Sequence, residues 1–193
     1  MTGAQRWVSS RPGFARSIAA GPGGHAVYVT GTAGHFFATV AYNAATGAQV
    51  WARRYNGAGS SGSRGNSLAV SPSGSMVYVT GAAAHHYATV AYNAATGTRQ
   101  WVRQYTGPGD SIVGPRQVAV SPRGRTVYIT GAIGGDFTTI AYNAVTGSRR
   151  WVRRQQGAGY SLAVSPVSGT AFATGSSKRG TRFRDFTTIA YHG

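Results

Sequence analysis

The sequence of 193 residues has no cysteine and no glutamate, and Lys178 is its only lysine. Without cysteine the chain can form neither a disulfide nor a thiolate metal site, and it has no thiol nucleophile. No apolar run approaches the ~18 residues that a membrane-spanning helix requires. The N-terminal stretch MTGAQRWVSSRPG lacks the apolar centre of a signal peptide. As written, the sequence predicts a cytoplasmic protein, but a mature secreted chain would look the same, so the compartment stays open.

Acidic side chains are scarce. The chain has 19 basic residues and 3 aspartates, which gives a formal net charge of +16. Such a charge favours polyanionic partners and keeps a protein soluble through self-repulsion. Nonspecific attraction to nucleic acid is expected from the charge alone, but no recognised nucleic-acid-binding module is present.

Internal repeats organise the whole chain. Four tryptophans head the repeats, with spacings of 44, 50 and 50: Trp7, Trp51, Trp101 and Trp151. The strings VYVTG and ATVAY, or close variants, recur in the same phase. We predict a single domain over 1–193, with repeats at approximately 7–50, 51–100, 101–150 and 151–193 plus 1–6.

Each repeat contains four short runs rich in Val, Ile, Thr, Tyr and Trp, separated by turn sequences such as SPSG and NAATG. These runs predict β-strands, and no helical period of useful length is visible. Four-stranded units with a period of 40–50 residues indicate a β-propeller. We therefore predict an all-β propeller with four blades of four antiparallel strands, named A to D from the axis outward.

The two chain ends form one interrupted repeat. The C-terminal AYHG followed by the N-terminal MTGAQRW matches the template AYNAATGAQVW without a gap. This phase predicts that Arg6–Ser10 supplies strand D to the C-terminal blade and so closes a ring. Two chains could instead exchange this strand and form one eight-bladed ring. We favour the ring within one chain.

The motifs AYNAATGxxxW and VSPxGxxVYVTG resemble the repeats of bacterial propellers of the PQQ-type and YVTN-type (WD40-like) families. The resemblance implies that Trp7, Trp51, Trp101 and Trp151 pack between blades, near the glycine of the C–D turn. It does not imply that the chain binds the PQQ cofactor. Quinoprotein dehydrogenases use acidic calcium ligands and often a vicinal disulfide, and this chain has neither Glu nor Cys. We predict no cofactor and no metal site. Such repeats commonly carry Asp where this chain has Asn43, Asn93, Asn143 and His192.

The predicted D–A and B–C loops vary most between repeats and are where function is expected. The anion-binding candidates are Arg16, Arg64, Arg116, Arg182, Arg184 and Phe183. The last three belong to the basic and aromatic stretch Ser176–Phe186, where paired guanidinium donors would suit phosphate, sulfate or carboxylate. The arginines of strand D, such as Arg53 and Arg103, are expected to form a solvated outer wall.

Few residues qualify as catalytic candidates. Asp136 and Asp185 stand at equivalent positions of two repeats and could form an acid–base pair, with His35 and His86 near them. The scarcity of ionisable groups favours a non-catalytic binding or scaffold module for an anionic ligand or partner at the loop face. Two alternatives stay open. One is an enzyme of hydrolase, lyase or cyclase type with an axial pocket, and the other is a repeat fragment or engineered propeller without retained activity.

Overall fold

The computed structural model describes residues 3–57, 62–83, 86–107, 112–179 and 183–192. This part of the chain is all-β and contains fourteen strands. The strands are β1 Phe14–Ala20, β2 Ala26–Ala33, β3 Phe36–Asn43, β4 Gln49–Tyr55, β5 Arg64–Val70, β6 Met76–Ala83, β7 His86–Asn93, β8 Arg99–Tyr105, β9 Ile112–Val120, β10 Thr126–Ile133, β11 Asp136–Asn143, β12 Arg149–Val164, β13 Ala171–Arg179 and β14 Phe183–Tyr191. No helix that could span a membrane occurs among these residues.

The strands form antiparallel units that follow the predicted A to D order. Blade 1 is β1-β2-β3-β4 and blade 2 is β5-β6-β7-β8. The remaining strands form one six-stranded sheet because β12 serves two blades. Its first half, up to Gln156, pairs with β11 as strand D of blade 3. Its second half, from Gly157, pairs with β13 as strand A of blade 4.

The predicted loops are shorter than expected. The D–A loop predicted between the third and fourth repeats is the sequence QGAGY, Gln156–Tyr160, and this stretch lies within β12. Gly157 takes a φ of 137°, which helps the chain pass from one blade to the next without a loop. The predicted B–C loop of blade 4 is also reduced, since β13 extends to Arg179 and β14 begins at Phe183.

Local hydrogen bonds explain why the repeated turns form without aspartate. The backbone N–H groups of Ala95 and Thr96 each donate to Oδ1 of Asn93 at 3.0 Å. Asn43 and Asn143 accept equivalent bonds in their own turns. An amide oxygen accepts these bonds as a carboxylate would, so the Asn-containing turns keep their shape without the negative charge.

The tryptophans of strand D pack on the next blade. The indole Nε1 of Trp51 donates to the carbonyl of Ala94 at 2.8 Å, and Trp101 donates to Ala144 at 3.0 Å. Each ring lies against the glycine of the C–D turn, Gly97 or Gly147, which has a positive φ. A Cβ at Gly97 would stand 2.7 Å from Trp51. A side chain at this position would therefore displace the indole.

The four blades form an arc. Strand packing joins blade 1 to blade 2, blade 2 to blade 3 and blade 3 to blade 4, and is not repeated between blade 4 and blade 1 in the described residues. Ile18 of blade 1 and Phe186 of blade 4 are 67% and 87% exposed. The closed ring within one chain that we predicted is therefore not confirmed.

The N-terminal segment does not complete the C-terminal sheet. β14 pairs only with β13 in the described part of the chain, and Arg6–Ser10 has no strand assignment. Instead Trp7 packs on blade 1, where its Nε1 donates to the carbonyl of Ala44 at 2.9 Å. Trp7 thus takes the place that strand D of a preceding blade would take, while the sheet that lacks this strand lies at the other end of the arc.

Candidate functional site

Strand A of every blade contains a β-bulge at the same position. The register of strand A shifts between Ala15 and Ser17 in blade 1, with equivalent shifts in the other blades. The extra residues are Arg16, Asn66, Arg116 and Tyr160. A bulge leaves its extra residue outside the regular ladder and redirects its side chain. These four residues are named the bulge row below.

Glycine on the neighbouring strand makes each bulge possible. The equivalent glycines of strand B, at the end of the VYVTG motif, are Gly31, Gly81, Gly131 and Gly175. A Cβ on any of them would overlap a backbone carbonyl oxygen of strand A in the same blade. The repeated glycine therefore lets the backbone of strand A approach closely at the bulge.

The bulge row lies on the inner side of the arc. Neighbouring blades contact one another through their A strands: β1 packs with β5, β5 with β9, and β9 with β12. The bulges occur in the first half of each A strand, close to the D–A connection. The row therefore follows the concave edge of the arc at the end where the D–A loops lie.

Contacts between blades link the row. Asn66 Nδ2 donates to the carbonyl of Pro115 at 2.7 Å, which ties the bulge of blade 2 to that of blade 3. The Arg116 guanidinium lies over the ring of Tyr160, 5.4 Å from its centroid. A cation above an aromatic face is attracted by the ring quadrupole and keeps its N–H donors available at the edge.

The chemistry of the row is that of hydrogen-bond donors. Arg16 and Arg116 are exposed, and Tyr160 is 45% exposed. Two guanidinium groups, an amide and a phenol suit anionic oxygen atoms. Within the described ranges no group of three or more His, Cys, Asp or Glu residues could hold a metal ion.

Two of the predicted anion-binding residues, Arg16 and Arg116, belong to the bulge row. Arg64 is half-buried at the start of β5 and lies two residues before the bulge of blade 2. Arg182 lies outside the described residues. Phe183 and Arg184 begin β14, and only their backbone is described.

The catalytic candidates lie near the B–C ends of separate blades. His35 is exposed in the β2–β3 turn, and His86 Nδ1 is 2.7 Å from the hydroxyl of Thr106. Asp136 begins β11 opposite Ile133, and Asp185 lies in β14 opposite Ser177. No hydrogen bond or ion pair joins any two of these four side chains in the described structure. Their predicted roles in catalysis stay predictions.

Some arginines of strand D are engaged with the backbone. Arg53 donates from Nε to the carbonyl of Gly97 and from Nη2 to that of Thr96, both at 2.9 Å. Arg103 makes the same two bonds in the next blade, to Gly147 and Thr146. These arginines were predicted to form a solvated wall. Arg53 is exposed and Arg103 is half-buried, and both also bridge their blade to the C–D turn of the next.

Sequence reasoning missed Asn66 and Tyr160. The sequence does contain a pattern that marks these positions. In every repeat the bulge residue stands directly before the S-L-A-V string or its equivalent. Aligning the four repeats on this string would have brought Arg16, Asn66, Arg116 and Tyr160 to one position.

Three blades of four strands and one of three, joined by tryptophan contacts, define this protein as a β-propeller of the repeat type. A family model of PQQ-type repeats, described as outer membrane protein assembly factor BamB, matches residues 1–179. The chain belongs to this PQQ-type repeat family. No curated protein matches the sequence.

Solved structures similar to the chain are propellers from distant sequences. The structure of U3-55K has a TM-score of 0.66 at 14% identity, covering 95% of this chain and 53% of the other. The RRP9 WD40 repeats give 0.67 at 13% identity, covering 96% and 53%. The Cps50 (Swd1) propeller of Myceliophteria thermophila gives 0.59 at 12%, covering 84% and 51%. The chain thus spans about half the length of these structures, and identities this low show the fold alone.

Proposed function

We propose that this chain is a non-catalytic binding module that takes an anionic partner along the bulge row. The observation that carries the proposal is the placement of Arg16 and Arg116 on equivalent bulges of the concave edge. Both guanidinium groups are exposed, and Arg116 is oriented by Tyr160 at 5.4 Å. Guanidinium forks bind carboxylate and phosphate groups in pairs of hydrogen bonds, so the expected ligand carries at least two such groups.

Charged and neutral side chains alternate along the bulge row, and this alternation supports a ligand that extends along the arc. Arg16 and Arg116 stand two blades apart, with Asn66 between them as a neutral donor. A single small anion would contact one guanidinium, whereas an extended ligand would contact both. In an eight-bladed ring of two copies, the two rows would face one axis and each arginine would occur twice.

The test compares two double variants that lose the same charge. Arg16→Gln with Arg116→Gln removes the cations of the bulge row, and Arg99→Gln with Arg154→Gln removes two exposed arginines of strand D that lie away from the row. Binding of tripolyphosphate and of fluorescein-labelled octa-aspartate is measured by calorimetry and by fluorescence anisotropy. The two probes separate phosphate from carboxylate ligands.

We expect the bulge-row variant to bind the preferred probe at least ~10-fold more weakly, because each charge-assisted contact contributes about 1.5 kcal/mol or more. The control variant should change the affinity by less than about twofold at 0.15 M salt, where distant exposed charges are screened. Equal losses in both variants would show that only the net charge attracts the probe, and would refute a site at the bulge row.

A further inference from the structure

One end of the arc is an uncovered front face, defined here by Ile18, Val27 and Val29 of blade 1. Ile18 is 67% exposed, whereas its equivalents Leu68, Val118 and Leu162 are 6%, 4% and 5% exposed. Val27 and Val29 are half-buried, whereas their equivalents in blades 2 and 3 are fully buried. A groove of about 900 Å³ lies against this face and also borders Trp7.

The other end is an uncovered rear face, defined by Phe172, Phe186, Thr188 and Ala190 of blade 4. Phe186 is 87% exposed, and its equivalents Phe37, Tyr87 and Phe137 are 0%, 1% and 1% exposed. Phe172 is 41% exposed, and its equivalents Tyr28, Tyr78 and Tyr128 are all nearly buried. Exposed apolar surface of this kind marks an interaction site.

The two faces are complementary, because the chain already contains the same apolar contact between neighbouring blades three times. Each such contact is called a joint below. Phe37 and Leu68 belong to one apolar cluster between blades 1 and 2. Tyr87 and Val118 share the cluster between blades 2 and 3, and Phe137 and Leu162 share the one between blades 3 and 4. In every joint a rear-face ring packs with the front-face aliphatic residue that corresponds to Ile18. Phe186 and Ile18 are therefore the two halves of a fourth joint.

We propose that a second copy of this chain covers both faces, so that two arcs form one eight-bladed ring. The front face of each copy would pack on the rear face of the other, which gives two identical joints related by a two-fold axis. The chain covers 53% of each of two solved propellers, which is close to the share that one of two equal arcs has in a ring.

The N-terminal segment fits this arrangement. Trp7 already lies on the front face of its own blade 1, bonded to Ala44. In the paired ring this segment would lie beside β14 of the other copy, whose outer edge has no partner strand in the described structure. Arg6–Ser10 would then be the fourth strand of that blade, as β4, β8 and β12 are in the first three. The unpaired edge of β14 would be closed.

The experiment measures the solution mass by light scattering and sedimentation over a range of concentrations. For a chain of 20.0 kDa we expect about 40 kDa. Ile18→Arg on the front face and Phe186→Arg on the rear face should each shift the mass to that of one chain, weakening association about 100-fold or more. Val167→Arg is the matched control, because Val167 is 92% exposed in the turn before β13, and it should stay paired.

A wild-type mass of one chain at all concentrations would overturn the proposal, as would a mass of three or more chains. Pairing that survives both Ile18→Arg and Phe186→Arg would also overturn it. Phe186 is exposed in the single chain, so its replacement cannot act by unfolding the arc, and circular dichroism verifies this. The proposal does not depend on anion binding, since its readout is mass and the bulge-row variants keep both end faces.

Discussion

The contact between Trp51 and Gly97 can be tested by adding one methyl group. Gly97 has a φ of +69°, and an added Cβ would stand 2.7–2.9 Å from three atoms of the indole ring. Gly97→Ala therefore imposes two costs, an unfavourable backbone conformation and a steric overlap. The first costs about 1 kcal/mol for an L-residue. The second costs about 1–3 kcal/mol, since forcing extra volume into a packed contact displaces its neighbours.

Gly124→Ala separates the two costs. Gly124 has nearly the same φ, +66°, but the nearest atom to its Cβ is Cδ of Pro72 at 3.7 Å. It therefore reports the backbone cost alone. We expect a loss in the free energy of unfolding of about 1 kcal/mol for Gly124→Ala and about 3 kcal/mol for Gly97→Ala.

Equilibrium unfolding in urea, followed by circular dichroism, gives both values, and equal m-values verify that the unfolded states are comparable. Tryptophan emission gives a second readout, because only Gly97→Ala should expose an indole that is now 4% exposed. Equal losses of stability in the two variants, with unchanged emission, would refute the contact between the C–D turn and the tryptophan.

Three further predictions follow from the same packing. Tyr87→Phe should raise the melting temperature and increase the free energy of unfolding by up to about 1 kcal/mol, because the Tyr87 hydroxyl is buried without a partner in the described structure. A large loss of stability would show that the hydroxyl has a hydrogen-bond partner after all. Arg103→Lys should cost about 1 kcal/mol in urea unfolding because it removes the planar fork that binds Gly147 and Thr146, while the exposed Arg154→Lys should cost little; equal costs would contradict this role. Burial raises the pKa of three tyrosines to about 12: Tyr78, Tyr92 and Tyr142. Because the fold favours their neutral form, its stability should be complete below pH 10 and fall as the pH rises from 10 to 12; constant stability over this range in an alkaline titration would contradict the burial.

The repeats made the blades predictable. Apolar runs that alternate with turns such as NAATG specify strands through interactions between residues close in sequence. Because the same pattern recurs in four repeats, each repeat supports the strand prediction made for the others. The Asn93 turn follows from the sequence because its hydrogen bonds join residues two and three apart. The tryptophan contacts were expected from the family resemblance, and their geometry depends on the adjacent Gly97 and Gly147.

The closure of the ring was not predictable. The phase of the N-terminal segment is identical whether its partner strand belongs to the same chain or to another. The choice depends on the angle between blades, which is set by packing of side chains such as Tyr28 and Leu68 and has no local signature. The contacts of Arg53 were missed for a related reason. Their acceptors are backbone carbonyls, which every residue carries, so no complementary residue type could be found in the sequence.

The scarcity of acids explains how the arginines divide into two groups. With only 3 aspartates for 19 cations, most guanidinium groups cannot find a carboxylate within the chain. Arg53 and Arg103 use carbonyls of the C–D turns instead, which satisfies several donors and stabilises the joints between blades. Arg16 and Arg116 have no such acceptors among the described hydrogen bonds, and the Tyr160 face leaves the edge donors of Arg116 available. No ion pair joins Arg16 or Arg116 to an aspartate in the described part of the chain, so both guanidinium groups stay available to an anionic ligand there.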